Sequence, residues 1–127
     1  MKRSLLLLPL LIFSFNQATA KYVETEEDSE CYDQAQGSMV DIALCFESSG
    51  NKVYNNIEKR IKQLNKQKNY TYTIKWLEQS HDKLKEQCRK KYYKDGDYIS
   101  YAQMEECVRD GLSTLEEKFF TKKINTH

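Results

Sequence analysis

Four cysteines, at positions 31, 45, 88 and 107, constrain the fold of this chain more than any other feature of its sequence. Four cysteines allow three disulfide pairings, and widely spaced cysteines do not form the close pairs of a thioredoxin-type redox centre or a zinc site. An even number of such cysteines is typical of proteins from an oxidising compartment. We therefore expect two disulfide bonds that hold a small domain together.

The first twenty residues have the composition of a secretory signal peptide. Lys2 and Arg3 precede an apolar run over residues 5–15, and Ala18-Thr19-Ala20 matches a cleavage site. The run is about half as long as the roughly 20 residues that span a bilayer, which argues against a retained membrane anchor. We expect cleavage after Ala20 and a secreted or periplasmic protein whose mature form has no membrane span.

Long helices are expected after this leader, because the rest of the chain has no proline and only four glycines. Residues 21–30 contain five acidic residues and few apolar ones, so they are predicted to form a mobile arm. Residues 31–120 are predicted to form the folded domain, and residues 121–127 a frayed tail. The expected fold class is all-α: a small, disulfide-stapled bundle of about four helices, the first of them short.

The first two predicted helices are separated by a serine and glycine cluster. The short first helix follows Ser38, which matches a capping box together with Asp41, and it ends at Ser48-Ser49-Gly50. The second helix is predicted from Asn51 to about Asn69, where apolar residues recur every three or four positions.

The third and fourth predicted helices form a hairpin. Thr71 or Thr73 is expected to cap the third helix, which runs to about Tyr93. The fourth helix follows a Lys-Asp-Gly-Asp connection and is predicted to open on a capping box between Ser100 and Gln103. Apolar residues at alternating spacings of three and four give both helices the seam of a helical bundle.

The hairpin geometry ranks the three disulfide pairings. Its turn is centred near Asp97, nine residues after Cys88 and ten before Cys107. Antiparallel helices bring these two cysteines level, which favours their pairing and leaves Cys31 with Cys45. Each bridge is expected to add roughly 3 kcal/mol of stability.

Charge is divided into blocks along the chain. Residues 21–50 contain one basic and eight acidic residues, residues 51–94 thirteen and four, and residues 95–127 four and seven. On helices, such blocks are more typical of solvated faces than of binding surfaces. The basic run over residues 89–94 has acidic flanks and an exported address, so no nucleic-acid partner is expected.

Residue patterns that support catalysis are sparse. His81 follows Glu78 as in a metal-binding Glu-x-x-His motif, but a second such motif is missing, so no metal site is expected. Residues 95–100 resemble part of a calcium-binding loop, yet Gln103 stands where a bidentate glutamate is required. We expect no cofactor, no catalytic residues and no enzymatic activity. A hydrolase that uses two facing carboxylates is the alternative.

Aromatic and acidic residues are concentrated at the predicted hairpin turn. The set consists of Tyr92, Tyr93, Asp95, Asp97, Tyr98 and Tyr101. Tyrosine supplies a large contact area at low entropic cost, so these residues would form a protein-binding epitope if they are exposed on a rigid tip. The alternative is that some of these tyrosines pack in the core.

Four segments of the chain resemble the LprI-like, or YecT-like, family of bacterial lysozyme inhibitors. They are CYDQAQGSMVDIALC, NKVYNNIEKRIKQL, WLEQSHDKLKEQC and EECVRDGLSTLEEKF. The resemblance implies a helical, exported protein in which the first cysteine pairs with the second and the third with the fourth. It also implies lysozyme inhibition, although no inhibitory residue of the family can be assigned to a position here.

The leading functional prediction is a secreted or periplasmic protein that binds another protein, with lysozyme as the sharpest choice of partner. The alternative is a secreted effector, or an envelope structural or interaction protein, whose partner is not lysozyme. The oligomeric state is left open by the sequence.

Overall fold

A computed structural model describes residues 22–65 and 72–118 of the protein. These two ranges contain four helices and no strand. The helices are α1 (Glu26–Ala35), α2 (Met39–Leu64), α3 (Ile74–Tyr92) and α4 (Tyr98–Glu116). The predicted all-α fold class is confirmed. The predicted leader and the predicted C-terminal tail lie outside the described residues.

Two disulfide bonds link helices that follow each other in the chain. Cys31 on α1 is bonded to Cys45 on α2, and Cys88 on α3 is bonded to Cys107 on α4. The Cα atoms of the two pairs are 5.9 and 5.8 Å apart. This is the pairing that the hairpin geometry favoured.

The acidic segment before Cys31 is helical from Glu26 onward, contrary to the mobile arm predicted for residues 21–30. The Thr25 side chain accepts a hydrogen bond from the Asp28 backbone N–H, and the Asp28 carboxylate accepts one from the Thr25 N–H at 2.9 Å. Such a capping box satisfies the free N–H groups at the start of a helix. Acidic side chains in the first turn also suit the positive end of the helix dipole. The composition that suggested disorder therefore favours a helix start.

Helix α2 is one continuous helix of 26 residues, whereas the sequence predicted a break at residues 48–50. Ser49 is buried, and its hydroxyl oxygen lies 3.0 Å from the Cys45 carbonyl oxygen within the helix. Gly50 lies against the backbone of Arg109 on α4, which a Cβ at this position would meet at 3.6 Å. The small residues are thus a packing surface inside α2, because tertiary contacts override their low helix propensity.

Ser38 and Thr73 cap α2 and α3, as predicted. Each side-chain oxygen accepts a hydrogen bond from the backbone N–H three residues later, that of Asp41 or Trp76. An N-cap of this kind contributes about 1 kcal/mol to stability. Helix α2 ends at Leu64, five residues before its predicted end.

Helices α2 and α4 share the largest interface and run in the same direction. Gly50 on α2 contacts Arg109 on α4, and Glu47 interacts electrostatically with Glu105, so residue numbers rise together along the two helices. Helix α3 returns antiparallel to α4 through the hairpin turn. Helix α1 folds back along α2, to which the first disulfide connects it.

The core lies between α2, α3 and α4. Its buried apolar side chains are Val53, Ile57, Ile61, Leu77, Val108 and Leu112, together with the half-cystine Cys88. Complete burial of one large aliphatic side chain contributes about 1.5–3 kcal/mol. None of the helices in the described part of the chain is both long and apolar enough to cross a bilayer.

Gly111 allows α3 and α4 to approach closely, as its seam position suggests. A Cβ at this position would lie 2.5 Å from Cδ1 and 2.7 Å from Cδ2 of Leu84. Those distances are far below van der Waals contact. The glycine therefore creates the space that the Leu84 side chain fills.

Candidate binding surface

The hairpin turn between α3 and α4 is fixed by side-chain hydrogen bonds. Asp97 is the N-cap of α4, and its carboxylate accepts hydrogen bonds from the Ile99 N–H at 3.0 Å and the Ser100 N–H at 3.3 Å. The buried Ser100 hydroxyl accepts the Lys94 N–H at 2.9 Å across the turn. Gly96 has a positive φ of 79°, which glycine adopts without strain. The predicted capping box at Ser100 is wrong, because Asp97 already occupies the cap and Ser100 bonds back to the turn.

The Cys88–Cys107 disulfide holds the base of this hairpin. Cys88 is almost completely buried in the core, so the bridge joins the hairpin to the bundle. The rings of Tyr93 and Tyr101 meet edge to face with centroids 6.4 Å apart, which connects the turn to the first turns of α4. The backbone of the hairpin turn is therefore fixed relative to α4.

The predicted epitope is divided between exposed and half-buried side chains. Tyr98 is 61% exposed and Tyr93 is 39% exposed, and both acidic residues of the turn are exposed. Tyr92 and Tyr101 are half-buried. Ile99, which the sequence analysis did not select, is 56% exposed and adds an aliphatic side chain. We call the exposed set of Tyr93, Asp95, Tyr98 and Ile99 the hairpin tip.

The buried cation Arg109 holds the N-terminal segment against α4. Its guanidinium lies between the rings of Tyr22 and Phe46, with its central carbon 4.2 and 5.0 Å from their centroids. It donates hydrogen bonds to the Asp110 carboxylate at 2.9 and 3.0 Å and to the Tyr32 hydroxyl at 3.1 Å. Burial lowers the pKa of Arg109, but the hydrogen bonds and the charge of Asp110 outweigh it, so the pKa is raised. Arg109 remains charged and links α1, α2 and α4.

Asp28 is a buried carboxylate that is satisfied by three neighbours. It accepts hydrogen bonds from the Ser49 hydroxyl at 2.5 Å, the Tyr22 hydroxyl at 2.6 Å and the Thr25 N–H. Burial alone would raise the pKa of Asp28, but the hydrogen bonds from Ser49, Tyr22 and Thr25 lower it below its ordinary value. The ionised carboxylate therefore connects α1 to the middle of α2.

A groove of about 800 Å³ runs between the N-terminal segment, α2 and the C-terminal end of α4. Five glutamates line it: Glu26, Glu27, Glu30, Glu116 and Glu117. Lys52 also lines the groove and forms an ion pair with Glu27. Burial raises the pKa of Glu116, so part of this groove is poorly solvated. The groove is open and acidic.

A narrower crevice of about 130 Å³ lies where α2, α3 and α4 meet. Glu47, His81, Lys85 and Glu105 line it. Burial and the nearby charge of Glu47 raise the pKa of Glu105, although Lys85 opposes this shift. The crevice therefore contains two carboxylates, whose charge suits a cationic side chain.

His81 lines this crevice and packs against the ring of Tyr54, with centroids 4.8 Å apart. Burial and the positive charge of Lys85 lower the pKa of His81, so the imidazole is neutral at pH 7. The described residues contain no group of three histidine, cysteine or carboxylate side chains that could hold a metal ion.

Arg109, Asp28 and the Glu47–Glu105 pair are not among the residues predicted from the sequence. No sequence signal marks Arg109, because Glu105, Glu106 and Asp110 lie within one helical turn of it and make its face look solvated. None marks Asp28 either, because it lies among other acidic residues that are exposed.

No known protein family, curated protein or solved structure matches this chain in comparisons of its sequence and fold.

Proposed function

We propose that the protein is exported through its leader, cleaved after Ala20, and acts as a binding protein that blocks a lysozyme by placing its hairpin tip in the glycan cleft. The observation that carries this proposal is the exposed tip, in which Tyr93, Tyr98 and Ile99 extend from a turn fixed by hydrogen bonds. The resemblance to the lysozyme inhibitor family supports the choice of target.

A preorganised tip favours this mode of binding. Binding orders flexible side chains at a cost of about 0.5–1.5 kcal/mol each, and a tip that is already rigid avoids part of that cost. Aromatic side chains that fill a cleft are the residues that contribute most to interface energies. The five glutamates of the acidic groove suit a basic enzyme and speed its encounter with the inhibitor.

The compartment agrees with this function. The two disulfides indicate an oxidising compartment outside the cytoplasm. Lysozyme acts on cell walls in such compartments, so an inhibitor would meet its target there.

The test is a cell-wall lysis assay with lysozyme and the purified protein lacking residues 1–20. We expect the protein to inhibit lysis, and we expect Tyr98→Ala to weaken inhibition at least tenfold, because it removes the most exposed ring of the tip. Val23→Ala is the matched control, since Val23 is 80% exposed but lies beside the acidic groove, away from the tip.

Three other outcomes would contradict the proposal. Full lysozyme activity at saturating protein would remove the inhibitor function. Capture of a partner other than lysozyme through Tyr98 would support the effector or envelope interaction protein. Cell-wall turnover by the protein alone would support a hydrolase that uses Glu47 and Glu105.

A further inference from the structure

Two exposed aliphatic side chains at the start of α2 suggest that the binding surface is larger than the hairpin tip. Leu44 is 48% exposed and Val40 is 36% exposed, four residues apart and therefore on one face of α2. Single exposed apolar side chains are common on folded proteins, whereas a contiguous exposed group marks an interaction site.

These side chains lie at the same end of the bundle as the tip. Helices α2 and α4 run in parallel and meet where Gly50 contacts Arg109. Val40 and Ile99 each lie ten residues before that contact. At 1.5 Å per residue, both are about 15 Å from it along their helices.

The faces of α2 and α4 that bear these residues also lie side by side. Glu47 follows Leu44 by three residues and Val40 by seven, so all three share one face of α2. Glu47 interacts electrostatically with Tyr101 and Glu105. On α4, Tyr101 and Glu105 follow Tyr98 by three and seven residues, so these three residues also share one face. We call these six residues the end face.

The charge of the end face identifies the chemistry of its partner. The crevice at its inner edge contains the carboxylates of Glu47 and Glu105, against the single positive charge of Lys85 and a neutral His81. Lys85 offsets only one of the two carboxylates that line the crevice, so the crevice keeps an excess of one negative charge. A second copy of this chain would bring the same carboxylates together, which is unfavourable, whereas a cationic protein would relieve their repulsion.

We propose that the end face is a docking surface for a cationic protein. Val40, Leu44 and Tyr98 form the apolar part of the contact. The crevice that Glu47 and Glu105 line receives an arginine or lysine side chain of the partner. The inference rests on the proposed function only in taking the partner to be a protein, and it extends the contact from the tip to α2. Arginine is the preferred anchor, because its planar guanidinium can bond two carboxylates at once.

The first test does not involve lysozyme. The isotope-labelled protein lacking residues 1–20 is titrated with a hexapeptide of alternating arginine and tryptophan, and its backbone amide signals are followed by NMR. We expect the largest shifts at residues 40–47 and 98–105. Shifts confined to residues 22–30 and 113–117 would place the cationic ligand in the acidic groove and overturn the proposal, as would the absence of saturable shifts.

Variants then test each part of the end face. Leu44→Ser and Glu47→Gln should each weaken peptide binding at least fivefold, and Glu47→Gln should also reduce its salt dependence. The controls are Val23→Ser, which also replaces an exposed aliphatic side chain by serine, and Glu30→Gln, which repeats the change at Glu47. Both positions lie beside the acidic groove, and both variants should change affinity less than twofold. Thermal melts establish that all four variants fold. Equal effects of controls and end-face variants would overturn the proposal.

The lysis assay separates this inference from the proposed function. Peptide binding at the end face combined with undiminished lysozyme activity would leave the docking surface in place and remove the inhibitor. Lysozyme inhibition that depends on Tyr98 but is unchanged in Leu44→Ser and Glu47→Gln would confine the contact to the hairpin tip and remove the end face.

Discussion

Replacing Asp28 by alanine is expected to detach the N-terminal segment from the bundle. The carboxylate accepts hydrogen bonds from Ser49 and Tyr22 and completes the capping box with Thr25. In Asp28→Ala the Ser49 hydroxyl keeps only the Cys45 carbonyl as a partner within its own helix. The Tyr22 hydroxyl loses the acceptor to which it donates at 2.6 Å.

The magnitude follows from these contacts. Loss of the bond from the Thr25 N–H, the half of the capping box that the carboxylate provides, costs about 1 kcal/mol. Loss of two hydrogen bonds to a buried charge costs about 1.5 kcal/mol each at the lower end of the usual range. The sum, about 4 kcal/mol, is a large fraction of the stability of a small domain. At about 4–8 °C per kcal/mol, the melting temperature should fall by about 16–32 °C.

Urea unfolding of the oxidised protein at pH 7, followed by circular dichroism, measures this loss. Glu30→Ala is the control, because it removes an exposed carboxylate from the same helix and should change stability by less than about 0.5 kcal/mol. A loss below about 1 kcal/mol in Asp28→Ala would refute the reasoning and favour the mobile arm.

The hydrogen bonds lower the pKa of Asp28 despite its burial. The contribution of Asp28 to the free energy of unfolding is therefore complete above the ordinary pKa of 3.8, and it disappears as the pH falls through the lowered pKa. The difference between wild type and Asp28→Asn should therefore narrow in acid.

Two further predictions concern α3 and its contact with α4. Gly111→Ala should destabilise the wild type by about 1–2 kcal/mol in urea unfolding, because the new methyl group overlaps Leu84. In a Leu84→Ala background the same substitution should stabilise the protein by about 1 kcal/mol, because only the difference in helix propensity remains. An effect of the same sign in both backgrounds would contradict this prediction. Burial and the charge of Lys85 lower the pKa of His81. Near the ordinary pKa of 6.5 the unfolded chain therefore binds a proton that the folded chain does not bind. The free energy of unfolding should fall as the pH drops through this value. His81→Gln should flatten that part of the pH profile, and an NMR titration of the imidazole with a raised pKa would contradict the assignment.

The hairpin and its disulfide could be predicted because their signals are local. The seam that ends in Cys88, the Asp-Gly-Asp turn and the distances of Cys88 and Cys107 from Asp97 all indicate the same antiparallel pair. Agreement of periodicity, turn chemistry and spacing is what makes such a prediction reliable. The cap at Thr73 was predictable for the same reason.

The first half of the fold could not be predicted, because polar residues hold it together. Ser49 and Gly50 look like a helix end, but they are buried by α1 and α4, whose positions the local sequence does not contain. Asp28 and Arg109 look like solvated charges, although both are nearly inaccessible. Hydrophobic periodicity does not detect a charge whose burial is compensated by partners distant in the chain. The end face was missed because its α2 half was assigned to a separate short helix.

The two disulfides connect near neighbours in the chain, with sequence separations of 14 and 19, and their loops do not overlap. Each loop contains one complete helix–helix connection, so either half of the chain can oxidise correctly without information from the other. A chain arranged in this way has no crossed bridges, and oxidative refolding of the reduced protein should give the native isomer as the main product.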